Sequence, residues 1–271
     1  MKQFYSVKGV IGLGLLGVVI LIGIFAPMLI PFEQSTKMYM TARLSSPSWA
    51  HPFGTDQLGR DLLFRVLLGA RTSLEIAVTA VVTSVVLGLP LGMVSGYFGG
   101  QIDNVLMRLV DTLLAFPALL LALTISAVLG PNTQNTIIAI GVAFTPYLAR
   151  IIRGEALRVA QMPYVEAARA SGTTNLMILI RHVLPNIMPP VIVQSTISLA
   201  FAILAEAGLS FLGLGTQPPA ASWGLMIQAS RDYLDIAPWT ALVPGLAVAA
   251  TVLGLNMFGD VLRDVLDPRT K

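Results

Sequence analysis

The stretch VIGLGLLGVVILIGIFAPMLI, from Val10 to Ile30, contains no charged side chain. A helix rises 1.5 Å per residue, so about 20 such residues cross the ~30 Å hydrocarbon core of a bilayer. Five further stretches along the chain meet the same test: Leu74 to Val94, Leu109 to Leu129, Thr133 to Ile152, Pro190 to Leu214, and Trp239 to Phe258. The expected class is an all-α membrane protein with six transmembrane helices. Lys2 and Lys8 precede the first run as they would in a secretory leader. The run is longer than a leader core, however, and Pro27 to Phe32 offers no small-x-small cleavage site, so it is expected to persist as a span.

Composition points the same way. Of 271 residues, 55% are hydrophobic and 11% charged, whereas a soluble domain carries about 25% charged residues. Mean hydropathy is +0.78. These values exclude an ordinary soluble enzyme, a disordered tail and a nucleic-acid-binding module. The basic pI near 9.4 reflects a net charge of only +3, which an anionic lipid leaflet explains more simply than nucleic acid. The chain has no cysteine, hence no disulfide, thiolate nucleophile or cysteine metal site. His51 and His182 are its two histidines, too few for a histidine-rich metal centre. No Gly-x4-Gly-Lys-Ser/Thr phosphate loop occurs, so the chain is not expected to hydrolyse ATP. Catalytic residues, bound cofactor and bound metal are all expected to be absent.

Basic residues set orientation. With six spans, one side collects 11 of the 17 Lys and Arg, among them Lys2, Lys8, Arg153, Arg158, Arg169, Arg269 and Lys271. Both termini are therefore expected in the cytoplasm. Residues 1–72 read as a first span with an outside loop, and 73–271 as a five-span core.

Two connections are longer than turns. The outer one contains Phe53-Gly54-Thr55-Asp56 and Leu58-Gly59-Arg60-Asp61, followed by apolar residues interrupted by Arg65 and Arg71. That pattern suits either an interfacial helix with arginines reaching toward headgroups or a lead-in to the second span. The inner connection, 153–189, places Pro163 where a first helical residue belongs and Gly172 where a residue just past a helix belongs. A helix of about nine residues is expected between them. A second is expected from Thr173 or Thr174 to about Val183, ahead of Pro185. Together they form a compact knob whose alanines allow close approach.

Glu166-Ala167-Ala168, Gly172 and Leu184-Pro185 resemble the EAA loop of ABC-transporter permeases, with His182 where the family's isoleucine usually stands. Arg181 to Asn186 is similar to the variant in dipeptide, oligopeptide and nickel permeases. Phe53 to Asp61, Leu209 to Gly215, and Trp223-Gly224 with Met226 fit the C-type subunit of that branch. So do Gly259-Asp260, Leu262-Arg263-Asp264 and Leu266-Asp267-Pro268. The resemblance implies a MetI-like importer permease fold in a bacterial plasma membrane. It further implies a coupling helix, with Tyr164, Glu166, Ala167, Ala168, Gly172, Leu184 and Pro185 at the docking site of an ATP-binding subunit. The implied partners are a second permease, two ATP-binding subunits that use the ATP, and an external solute-binding protein. Peptide is the implied substrate, with nickel or a metal chelate as alternative.

Glu75, Asp111 and Glu206 fall in or near spans, where a charge is costly. Glu206, midway along the fifth, faces either the translocation path, a partner subunit, or a neighbouring helix through a hydrogen bond. Proton coupling through Glu206 or Asp111 would make the chain a secondary transporter instead. Pro90, Pro117, Pro146 and Pro244 lie inside spans and are candidate hinges.

Overall fold

A computed structural model describes residues 7–266. Lys2, Arg269 and Lys271, and the Asp267-Pro268 end of the last motif, lie outside the described residues. Those described form helices and no strand, and one isolated bridge pairs Thr55 with Asp61.

Helix α1 (Val7–Leu29) is the first apolar run. The outer loop after it holds α2 (Phe32–Thr36) and a single 3-10 turn. Helix α3 (Leu62–Phe98) starts 12 residues before the expected span, because Asp61 caps it by accepting the Leu63 N–H at 2.9 Å. The Leu62 to Leu68 segment is thus the lead-in, not a separate interfacial helix. Arg71 is exposed, whereas the other two arginines do not reach outward, Arg65 being 3% exposed and Arg60 7%. Asp56 is the reason. Its carboxylate lies 2.6 Å from Arg60 Nε and 3.6 Å from Arg65 Nε, and a buried charge needs such a partner. The same carboxylate accepts the N–H groups of Leu58 and Arg60.

The third expected span is broken. Helices α4 (Gly100–Leu114) and α5 (Ala118–Leu129) meet at 85°. Pro117 has no N–H to continue the ladder and disfavours helical backbone at Phe116. The two sides of the break also differ in kind: α4 carries Asp103, Arg108 and Asp111, α5 no charge. Arg153 Nε donates to Asp103 Oδ1 at 2.6 Å, and Arg150 pairs with Asp111. Pro90, Pro146 and Pro244 lie inside unbroken helices, namely α3, α6 (Thr133–Ala160) and α11 (Trp239–Leu266).

After α6 come α7 (Pro163–Ala170), α8 (Asn175–Ile178), a π turn at 179–183 and α9 (Leu184–Phe211). The expected stop near Val183 does not occur. The Leu184 N–H reaches back five residues to the Leu179 carbonyl, and this widened turn lets the helix pass Pro185. Asn175–Phe211 is one run of 37 residues, as long as α3. Each is about 55 Å long, so each extends beyond the hydrocarbon by about 25 Å. Helix α10 (Trp223–Ser230) and α11 complete the chain.

Two cores result. One joins Ile76, Ala80, Ile140, Ile203, Leu209 and Trp223 in the body of the bundle. The other joins Tyr97, Ile152, Val165, Ile178, Val183 and Ile187 at the end bearing α7. The α3–α6 contact, the most extensive in the fold, depends on small residues. Gly88, Gly92 and Gly96 recur every four residues on α3, and a side chain at Gly92 or Gly96 would strike the Ala149 or Arg153 carbonyl of α6.

Candidate functional site

Helix α7 is built by its ends. Pro163 occupies its first position, Glu166 its first turn and Arg169 its last, each the residue type favoured there. Two bonds close it: Gly172 N–H to the Arg169 carbonyl at 3.0 Å and Thr173 N–H to the Ala168 carbonyl at 3.1 Å. The turn requires φ +77° at Gly172, which glycine reaches without strain.

What the helix shows and hides differs sharply by residue. Val165 is fully buried in the second core. Tyr164, Glu166, Ala167, Arg169 and Ala170 are exposed, and Ala168 is half-buried. Leu176, Met177 and Ile180 are exposed on the next turns, Leu176 to 67%. The knob is tied to the end of α3 through Tyr97. Its hydroxyl donates to Asn175 Oδ1 at 2.8 Å and accepts from Arg169 Nε at 3.3 Å. The Arg169 guanidinium also lies 4.7 Å from the Tyr97 ring centroid.

Of the residues expected to act together, Tyr164, Glu166, Ala167, Ala168 and Gly172 share α7 and its closing turn. Leu184 and Pro185 stand apart, beyond the π turn at the start of α9, half-buried and exposed respectively. The His182 imidazole has no hydrogen bond among the described residues, and its ring centroid lies 6.2 Å from that of Tyr164.

Glu206 lies 22 residues further along α9, about 33 Å from Leu184. It has no exposed surface. Ser210 Oγ–H donates to Oε1 at 2.7 Å and Ser73 Oγ–H to Oε2 at 3.2 Å. Each hydroxyl also accepts a backbone N–H, from Thr216 and Trp223 respectively, at 3.2 Å. The carboxyl therefore ends two short bond chains into the 212–223 connection. It faces α3 and its own helix.

Tyr97, Asn175 and Ser73 escaped the sequence reading, since each meets its partner across more than 70 positions. Ser210 was within reach: it follows Glu206 by one helical turn, a spacing that sets side chains together.

The family model described as "binding-protein-dependent transport system inner membrane component" matches residues 88–271. The dipeptide transport system permease protein DppC of Alkalihalophilus pseudofirmus is 43% identical over 271 residues, all of this chain and 89% of its own. The di/tripeptide transport system permease protein DppC of Pseudomonas aeruginosa is 42% identical over 278, covering 100% and 91%. The glutathione transport system permease protein GsiD of Escherichia coli is 42% identical over 252, covering 93% and 83%. Among solved structures, a chain of the inward-facing MetNI methionine ABC transporter superposes with TM-score 0.62 at 19% identity, over 76% of this chain and 98% of that one. The fold is thus MetI-like, with five helices long and apolar enough to cross a membrane, or six if the bent α4–α5 pair is counted as one span. By the family match and these identities, the chain is a member of the binding-protein-dependent transport system inner membrane components, the permease subunits of ABC importers.

Proposed function

We propose that this chain is a permease subunit for di- and oligopeptides, with α7 as the coupling helix that an ATP-binding subunit grips. The observation that carries the reading is the contrast within α7. Its alanine face and the neighbouring Leu176, Met177 and Ile180 are exposed, while Val165 roots it in a closed core. An exposed apolar patch of this kind marks a protein contact. A root without slack passes a displacement to α6 and α9 as a rigid-body shift.

In this reading Tyr164, Glu166, Ala167 and Ala168 meet the ATP-binding subunit, Gly172 shapes the turn, and Leu184 with Pro185 sets the entry into α9. ATP is bound and cleaved by two partner subunits, and this chain holds neither ATP nor another cofactor. A second permease completes the path, and a solute-binding protein delivers substrate to the outer loops. The termini share the cytoplasm of a bacterial cell with α7. Glu206 anchors the 212–223 connection to the bundle. The names of the relatives, which specify dipeptide, di/tripeptide and glutathione, support peptide as cargo over nickel.

The test is co-purification of the assembled importer in detergent. Glu166→Arg should cut the recovered ATP-binding subunits about tenfold, the size of one disrupted charged contact. Glu33→Arg, an exposed change near the outer loop, should recover them in full. Full recovery with Glu166→Arg would remove α7 as the docking element.

A further inference from the structure

A cavity of about 260 Å³ opens between α5, α6 and α9. It lies beside the break in the third span, with Ala118, the first residue of α5, in its wall. Phe144 and Tyr147 of α6 face it, one turn apart. From α9 come Gln194, Ser198 and Phe201, at the i, i+4, i+7 spacing of a single stripe.

The polar groups of this wall are unusual for their surroundings. Neighbouring hydroxyls on α9 satisfy themselves: Ser195 and Thr196 donate back to the Val191 and Ile192 carbonyls at 2.8 and 3.0 Å. Gln194, Ser198 and Tyr147 have no hydrogen-bond partner among the described residues. All three lie in helices long and apolar enough to span, and none is fully buried. Facing hydrocarbon, an unpaired carboxamide and two unpaired hydroxyls would be costly, so such groups turn toward a cavity or a partner.

We propose that this wall is one half of the peptide path and that its stripe reads the peptide main chain. The inference rests on the peptide-importer reading above. The Gln194 carboxamide can donate to one peptide carbonyl and accept from one peptide N–H, while the Ser198 and Tyr147 hydroxyls each exchange one bond. Phe144 and Phe201 offer ring faces to side chains of any kind. No charged residue lines the cavity, so it provides no counter-ion to hold a particular side chain and no carboxylate or imidazole to retain a metal cation. Neutral bonding to the one feature common to all peptides suits a conduit, where binding must permit both entry and release. The volume falls just below the ~300 Å³ lower end for a complete ligand site, as one wall of a two-subunit path should.

The absence of cysteine from the chain makes the test direct. The whole importer is reconstituted in proteoliposomes with cysteine-free partner subunits, and probed with a charged, membrane-impermeant methanethiosulfonate. Gln194→Cys and Ser198→Cys should react. During ATP-driven turnover with saturating dialanine, the labelling should slow. Ile192→Cys, 42% exposed but about 160° round the helix, should not react. No reaction at either stripe position, or reaction indifferent to dialanine, overturns the proposal.

The double change Gln194→Leu with Ser198→Ala supplies an independent measure. Dialanine uptake should fall about tenfold, the equivalent of one or two lost neutral hydrogen bonds. Subunit recovery and basal ATP hydrolysis should hold, which separates a damaged path from a damaged fold. Wild-type uptake by the double variant sinks the stripe alone. An unaltered importer that hydrolyses ATP with its binding protein yet moves no peptide sinks the parent reading and this one with it.

Discussion

In the loop ahead of α3, Asp56 sits between Arg60 and Arg65, and His51 Nδ1 lies 2.8 Å from Asp61 Oδ2. In the knob after α6, Glu166 stands exposed on α7, and Arg169 keeps only its contact with Tyr97. Both regions carry motifs of similar length with charges of both signs. The outer charges are spent on one another and on backbone N–H groups. On α7 only Arg169 is so used, through Tyr97, and Glu166 remains open to another molecule, because two backbone bonds and one buried valine already hold that helix. Where internal bonds use every polar atom, a motif builds shape; where the backbone closes itself, the side chains are left for recognition.

The strongest way to break this contrast is Asp56→Ala. It strands two buried guanidinium groups, which typically costs about 3–5 kcal/mol. Thermal unfolding in detergent should show a large drop, and loss of folded protein from the membrane is the expected extreme. Glu206→Ala should cost less, about 1–3 kcal/mol, since it removes the acceptor for two buried serine hydroxyls. Glu206→Gln keeps an acceptor and should retain most of the stability, and unchanged peptide uptake would exclude a path role. Arg169→Ala loses a stacked cation and one long hydrogen bond, worth about 1 kcal/mol. Proteolysis at 161–174 should register it as looser anchoring of the knob. Glu166→Arg should change stability by less than about 0.5 kcal/mol while cutting subunit recovery about tenfold. A large stability loss there would make α7 a structural element like the outer loop and erase the comparison.

Much of this was legible beforehand, for reasons that can be named. Apolar length alone marks the spans, and Pro163 and Gly172 frame α7 because helix ends obey local rules. Local rules also mislead. Pro185 reads as a stop, yet a π turn carries the helix past it. Four prolines look alike in the spans, but only Pro117 marks a break, at the junction between a charged helix and an apolar one. The charges of α4 meet Arg150 and Arg153 some 40–50 positions away, and spacing along the chain cannot reveal such pairing. Arg65 looked like a headgroup ligand because its partner Asp56 lies across a turn, outside any helical period.

One consequence follows from the uninterrupted run between Asn175 and Phe211. Glu206 and the π turn belong to a single rod, about 33 Å apart. Swinging that rod by about 5° around the π turn carries the carboxyl through about 3 Å, a full hydrogen-bond length. Ser210 rides along on the same rod, but Ser73 belongs to α3 and stays behind. The Ser73–Glu206 bond is accordingly the one of the two that any sliding of α3 against α9 must strain.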